Sequence, residues 1–244
     1  MKKFALLVVS LFAAGSALYA RKPAPVIPDF IHAAYSVESL LSEAELTNPG
    51  YDAFQFIYLM ATPEWAGLDF DRPQDAVDAY ATQFDYLKQG GKMALAPSMI
   101  EKAHAAGARI LLCFGGQQFL PLLENPDRIA KFVGYMVRLV EKNGYDGIDM
   151  DWEITLDKEL HARMMALLRE RFDELSERTG RYYYLTTALS IDHEYDRALA
   201  DRLAGAVDWI NIMSYDMCDG VWGSTPSHNT SMERMRSKLE HWKV

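Results

Sequence analysis

Two hydrophobic periods alternate along this chain, and that alternation restricts the fold more than any other feature. Short apolar runs lie at 30–35 (FIHAAY), 54–60 (FQFIYLM), 109–114 (RILLCF), 147–152 (GIDMDW), 183–190 (YYLTTALS) and 207–213 (VDWINIM). They are rich in Ile, Leu, Val and aromatic residues, as strands covered on both faces are. Helical patterns fill the intervals. Asn125-Pro126 supplies an N-cap and a Pro at the first helical position; Ile129, Phe132, Val133, Met136, Val137 and Val140 then recur at three- and four-residue spacing, and Gly144 closes the helix. A second helix is expected over about 156–179, with Leu160, Met164, Leu167, Leu168 and Leu175 on its buried side and Gly180 beyond its end. Weaker helical patterns occupy 37–46, 73–89, 98–106, 193–204 and 231–242. Strands that alternate with helices make a parallel sheet with right-handed crossovers. A doubly wound sheet and a (β/α)8 barrel both satisfy that rule. No Gly-rich phosphate loop follows the first run, which counts against a dinucleotide fold. With 244 residues, half of them hydrophobic, the chain can form one α/β domain.

Residues 1–20 are expected to lie outside that domain. Lys2 and Lys3 precede an apolar run over 4–14 and then small residues, the layout of a secretory signal peptide cleaved after Ala20 or Ala17. The mature domain is then 21–244, secreted or periplasmic, with no membrane association after cleavage. Loss of the two lysines takes the formal charge from −9 to −11. Lys and Arg are scattered, so a nucleic-acid partner is not expected. Only Cys113 and Cys218 are present, too few for a disulfide framework, and the fold must rest on its core. The composition does not decide the oligomeric state.

The fourth apolar run ends in an acidic ladder. Asp149, Asp151 and Glu153 alternate with Ile148, Met150 and Trp152. In a strand, residues two apart share a face, so the three carboxyls point one way and the apolar side chains the other. Three carboxyls inside a barrel cannot all ionise cheaply, and a proton must be held among them. A carboxylic acid kept protonated near neutral pH serves as a general acid, and Glu153, nearest the strand's C-terminal end, is placed to reach a substrate. The same pattern would also suit a divalent-metal site, a buried structural network or a solvated loop. Barrel chemistry sits at the C-terminal ends of strands, which favours the barrel and the catalytic reading together.

The residues in this stretch, Asp146, Asp149, Asp151 and Glu153, complete the pattern Asp-x-x-Asp-x-Asp-x-Glu. That pattern resembles the fourth-strand signature of glycoside hydrolase family 18, the chitinase and endo-β-N-acetylglucosaminidase family. LLCFGG (111–116) is similar to the family's third-strand Ser-x-Gly-Gly motif, with Cys113 at the Ser position, and MSYD (213–216) to its sixth-strand Met-x-Tyr-Asp motif. The resemblance covers 30 to about 232. It implies a TIM-type (β/α)8 barrel, here incomplete with about six βα units, strands seven and eight not being legible. It also implies substrate-assisted, retaining hydrolysis of β-1,4 bonds in N-acetylglucosamine glycans. Glu153 would be the general acid and base, Asp151 would orient the acetamide, Asp149 would share a proton with Asp151, and Tyr215 would hold the acetamido oxygen. Asp146, Met213, Asp216, Tyr35 and Trp222 are expected at the substrate. No cofactor or metal is implied; the partner is an oligosaccharide or polysaccharide containing N-acetylglucosamine. Hydrolysis of N-glycan chitobiose cores, and glycan binding without turnover, are the alternatives.

Other residues carry weaker readings. Trp152 and Trp209 are expected in the core. Trp65 and Trp222 fall in loops on the catalytic face, where an indole could stack on a pyranose. Cys113 is expected as a buried small residue, and His228 on a polar loop.

Overall fold

Each apolar run contains a strand, and the strands pair in chain order. β1 (Ala33–Val37), β2 (Phe56–Met60), β3 (Arg109–Gly115), β4 (Gly147–Asp151), β5 (Tyr184–Ser190) and β6 (Trp209–Met213) form one parallel sheet, β1-β2-β3-β4-β5-β6. A doubly wound sheet would reverse its strand order at a switch point; this one does not. The computed structural model describes residues 23, 25–37, 55–60, 97–115, 125–153, 155–217 and 228–240. Within them the helices are α1 (Pro97–Ala105), α2 (Ile129–Asn143), α3 (Lys158–Thr179), α4 (Arg197–Ala206) and α5 (Met232–Leu239). The leader expected at 1–20 and the helices expected at 37–46 and 73–89 lie outside the described residues, apart from Val37, which ends β1.

The sheet is curled. Six flat strands about 4.8 Å apart would separate β1 from β6 by about 24 Å. Instead Asn211 Nδ2 on β6 donates to Tyr35 Oη on β1 at 3.1 Å, and Trp209 Nε1 donates to Tyr58 Oη on β2 at 3.0 Å. The result is an incomplete TIM-type barrel with β1 and β6 at its edges. Its two faces have different cores. Ile148, Met150 and Trp152 pack with α2 and α3 residues such as Phe132, Met136, Met164 and Leu168 on the outer face, while Phe56, Tyr58, Leu111, Cys113 and Tyr184 cluster on the inner face.

Helix ends follow their capping chemistry. Asn125 accepts from the Asp127 amide and opens a 3-10 turn, Pro126–Arg128, that runs into α2, and Gly144 closes α2 at φ 78°. Asp157, Asp196 and Ser231 cap α3, α4 and α5. The Asp196 cap moves the start of α4 from the expected 193 to Arg197. The first strand also differs. It begins at Ala33 rather than Phe30, because the chain bends at 29–30 and leaves Phe30 70% exposed. Tyr35 is therefore mid-strand.

One device recurs at the N-terminal end of the sheet. The residue just before each even-numbered strand accepts a backbone N–H from the preceding strand or its approach. Gln55 Oε1 accepts from His32 N (3.3 Å), Asp146 Oδ2 from Ile110 N (2.9 Å) and Asp208 Oδ2 from Leu185 N (2.8 Å). These bonds satisfy donors where the ladders begin.

Candidate active site

β4 supplies the acidic ladder, and Gly147 lets it lie close to β5. A Cβ at Gly147 would fall 1.9 Å from the Tyr184 carbonyl oxygen. Asp149 is completely buried on the inner face. Its Oδ2 accepts from Tyr35 Oη (2.9 Å) and Cys113 Sγ (3.5 Å), and its Oδ1 from Thr186 Oγ1 (2.5 Å) and Asn211 Nδ2 (3.2 Å). Burial pushes the Asp149 carboxyl up, and the four donors pull it back. The same burial and the Asp149 charge push the Cys113 thiol and the Tyr35 phenol upward. Both stay protonated as donors.

Asp151 differs from Asp149 in its surroundings. It is 7% exposed, and its Oδ1 is buried with no hydrogen-bond partner among the described residues. Among the described residues Asp149 accepts from four other side chains, and its coupling to Asp151 is through charge, the Asp149 carboxylate raising the Asp151 carboxyl. Gly115, opposite Asp151 in the β3–β4 register, allows the close approach. A Cβ there would lie 2.9 Å from the Asp151 backbone oxygen and 3.3 Å from Oδ2. Burial, then the charges of Glu153 and Asp149, push the Asp151 carboxyl up to about 7. Glu153 follows the strand and is exposed.

β6 brings up the opposite wall. Ile210 and Ile212 pack on the outer core, so Asn211 and Met213 take the inner face. Tyr215 is half-exposed just beyond the end of this strand, and partial burial and then the charges of Glu153 and Asp151 raise its phenol. Asp216 is exposed and turns the chain at φ 55°, its amide held by Asn229 Oδ1 at 3.0 Å. Thr155, two residues after Glu153, also has a positive φ, 58°. The chain thus turns through strained conformations just beyond both Glu153 and Tyr215.

The structure joins Tyr35 to Asp149 in the middle of the sheet and puts Asp151, Glu153, Met213, Tyr215 and Asp216 at or just beyond the C-terminal ends of β4 and β6. It does not bring Asp146 there. Asp146 sits at the other end of β4, where it caps Ile110 and pairs with His104 Nε2 (2.7 Å) and Arg181 Nη2 (3.1 Å). Its expected substrate role is corrected to a structural one. Trp65 and Trp222 lie outside the described residues. Trp152 is buried under the outer core, Trp209 faces inward onto Phe56, and His228 is exposed. Sequence reasoning missed Thr186 and Gly115 as supports of the ladder. The available signal was a polar pair, Thr186-Thr187, inside an otherwise apolar strand. Among the described residues no three His, Cys, Asp or Glu side chains are arranged to hold a metal ion.

Comparisons with known proteins give the family and the fold. Residues 60–244 match the family model described as glycosyl hydrolases family 18. Endochitinase 1 of Metarhizium anisopliae is 25% identical over 186 residues, 72% of this chain and 42% of that protein. The fold is similar to the class V chitinase of Nicotiana tobaccum (TM-score 0.61, 18% identity, 87% of this chain and 62% of that one). It is also similar to the Cycas revoluta chitinase solved in complex with (GlcNAc)3 (TM-score 0.60, 19% identity, 86% and 64%). The chain spans less than half the length of the first curated relatives it matches.

Proposed function

The chain belongs to glycosyl hydrolases family 18, and from that premise we propose that it hydrolyses β-1,4 bonds of N-acetylglucosamine glycans of the chitin type, with Glu153 as general acid and base. The observation that carries this reading is the contrast between the two buried carboxyls. Asp149 is saturated by four donors, whereas Asp151 keeps a buried, unpartnered oxygen and is pushed up to about 7. A buried carboxyl with a free oxygen beside an exposed glutamate suits a substrate amide. The acetamide N–H of the −1 sugar would satisfy Asp151, whose charge offsets the positive charge of the cyclic intermediate formed when the acetamido oxygen attacks the anomeric carbon. Glu153 protonates the departing oxygen and later takes a proton from the entering water. Tyr215 orients the acetamido oxygen. Two displacements at one carbon retain its configuration.

Endochitinase 1 of Metarhizium anisopliae and the Cycas revoluta chitinase complexed with (GlcNAc)3 support the substrate class. The leader-like segment at 1–20 supports a secreted or periplasmic setting. The decisive test is hydrolysis of N-acetylchitooligosaccharides, with a high-mannose glycoprotein and deacetylated chitosan as controls. Glu153→Gln is expected to lower turnover by at least about 10²–10⁴-fold while sugar binding and the thermal transition persist. Initial product should be the β-anomer by NMR. Substantial turnover by folded Glu153→Gln, or an α-anomeric first product, would overturn the assignment.

A further inference from the structure

On the outer face of β4, behind the acidic ladder, lies a buried polar chain unrelated to the inner-face network. Tyr195 Oη is 2.7 Å from His161 Nδ1, His161 Nε2 is 3.2 Å from Thr187 Oγ1, and Thr187 Oγ1 is 2.7 Å from the Met150 carbonyl. His161 is completely buried on α3 and meets Trp152 edge-on, ring centroids 6.3 Å apart. The partners fix the proton on Nε2. A carbonyl only accepts, so Thr187 donates to Met150. Thr187 must then accept from an N–H at His161 Nε2, and in a neutral ring Nδ1 accepts from the Tyr195 hydroxyl. Burial, and then the neighbouring His193 charge, push His161 down to about 3, in keeping with one neutral tautomer. Lys158, over the Tyr195 ring at 5.7 Å, adds a second positive group at this end.

The place where the chain ends gives it meaning. Met150–Thr187 is the last registered pair between β4 and β5; Asp151, Trp152 and Glu153 lie beyond it. Thr186 and Thr187 bind β4 from opposite faces, one at the Asp149 carboxylate and one at the Met150 carbonyl. An apolar side chain would fill the site of His161 without needing two partners.

We propose that His161 is a positioning residue: as the Nε2–H imidazole it holds Thr187 on the Met150 carbonyl and so fixes the end of β4 from which Asp151 and Glu153 project. Its kinetic consequence rests on the reading of Glu153 as the acid. Long-range proton–nitrogen NMR of the histidine rings tests the network without turnover; one Nε2–H ring that does not titrate from pH 8 to 5 is expected, and an Nδ1–H ring or an imidazolium overturns it. Thr187→Val should lower kcat by roughly tenfold with KM within about twofold, and Thr187→Ser should restore kcat, since misplacement of reacting groups costs rate more than binding. Wild-type kcat in folded Thr187→Val overturns the positioning role. If the wild-type protein shows no turnover, the functional reading fails instead, and the Asp151 carboxyl carbon signal decides the positioning role: a midpoint shifted to lower pH in Thr187→Val supports it, and an unchanged one overturns it.

Discussion

A carboxylate taken completely out of water survives only where donors replace the lost solvation, and Asp149 draws its four from β1, β3, β5 and β6 through Tyr35, Cys113, Thr186 and Asn211. That arrangement makes Asp149 a junction of the barrel interior and leaves Asp151 as the carboxyl with an oxygen to spare. Gly115 bears on the same division, because it admits Asp151 to the space against β3. Gly115→Ala would put a Cβ 2.9 Å from the Asp151 backbone oxygen, an atom fixed by its strand. Overpacking of this kind costs about 1–3 kcal/mol. Urea denaturation should show a loss of that size, and hydrolysis by the folded variant should fall with it, since the strand must move where it carries the carboxyls. A variant with wild-type stability and rate would mean that β3 yields easily and that the close approach has no role.

At the level of elements, the two ends of β4 do different work. Its C-terminal end carries the carboxyls of the candidate site, while its N-terminal end is bound by Asp146 to Ile110, His104 and Arg181. Asp146→Asn should therefore reduce stability by about 1–3 kcal/mol, because a buried acceptor loses its charge and its ion pair with Arg181. kcat and KM of the folded variant should stay at wild-type values; a raised KM at unchanged stability would return Asp146 to the substrate. The sequence held a sign of this, since Asp146 precedes Asp149 by an odd number of residues and cannot share its face in a strand. The ladder's parity and the six strands were legible because apolar runs and two-residue alternation are local. Thr186 was not, because its contact with Asp149 depends on the β4–β5 register, which no stretch of either strand encodes alone. The start of β1 was misread for a related reason. Phe30 looks like a strand residue by hydrophobicity, but the bend at 29–30 exposes it.

For the whole molecule, these buried groups set how stability follows pH, and they pull in opposite directions. Burial first, then the Glu153 and Asp149 charges, raise Asp151 to about 7. It binds its proton more tightly in the folded chain than the ordinary carboxyl value of about 3.9 allows in the unfolded one. Its stabilising contribution is complete below about pH 4 and is lost as pH rises through about 7. His161, lowered to about 3 chiefly by burial, behaves oppositely. Its contribution is complete above the ordinary histidine value of about 6.5 and is lost as pH falls toward 3. Between about pH 4 and 6.5 the two slopes cancel, each amounting to about 1.4 kcal/mol per pH unit for one proton. Asp151→Asn removes the first and leaves the second. The variant's unfolding free energy should thus rise with pH more steeply than that of the wild type, by about 1.4 kcal/mol per pH unit across this window. Urea unfolding at pH 4.5, 5.5 and 6.5 measures the difference directly and needs no substrate, so it is independent of the proposed activity. Parallel curves for the two proteins would show that Asp151 titrates alike in the folded and unfolded chain, and the spare proton of the ladder would then have to be sought on Asp149, whose carboxyl burial also raises.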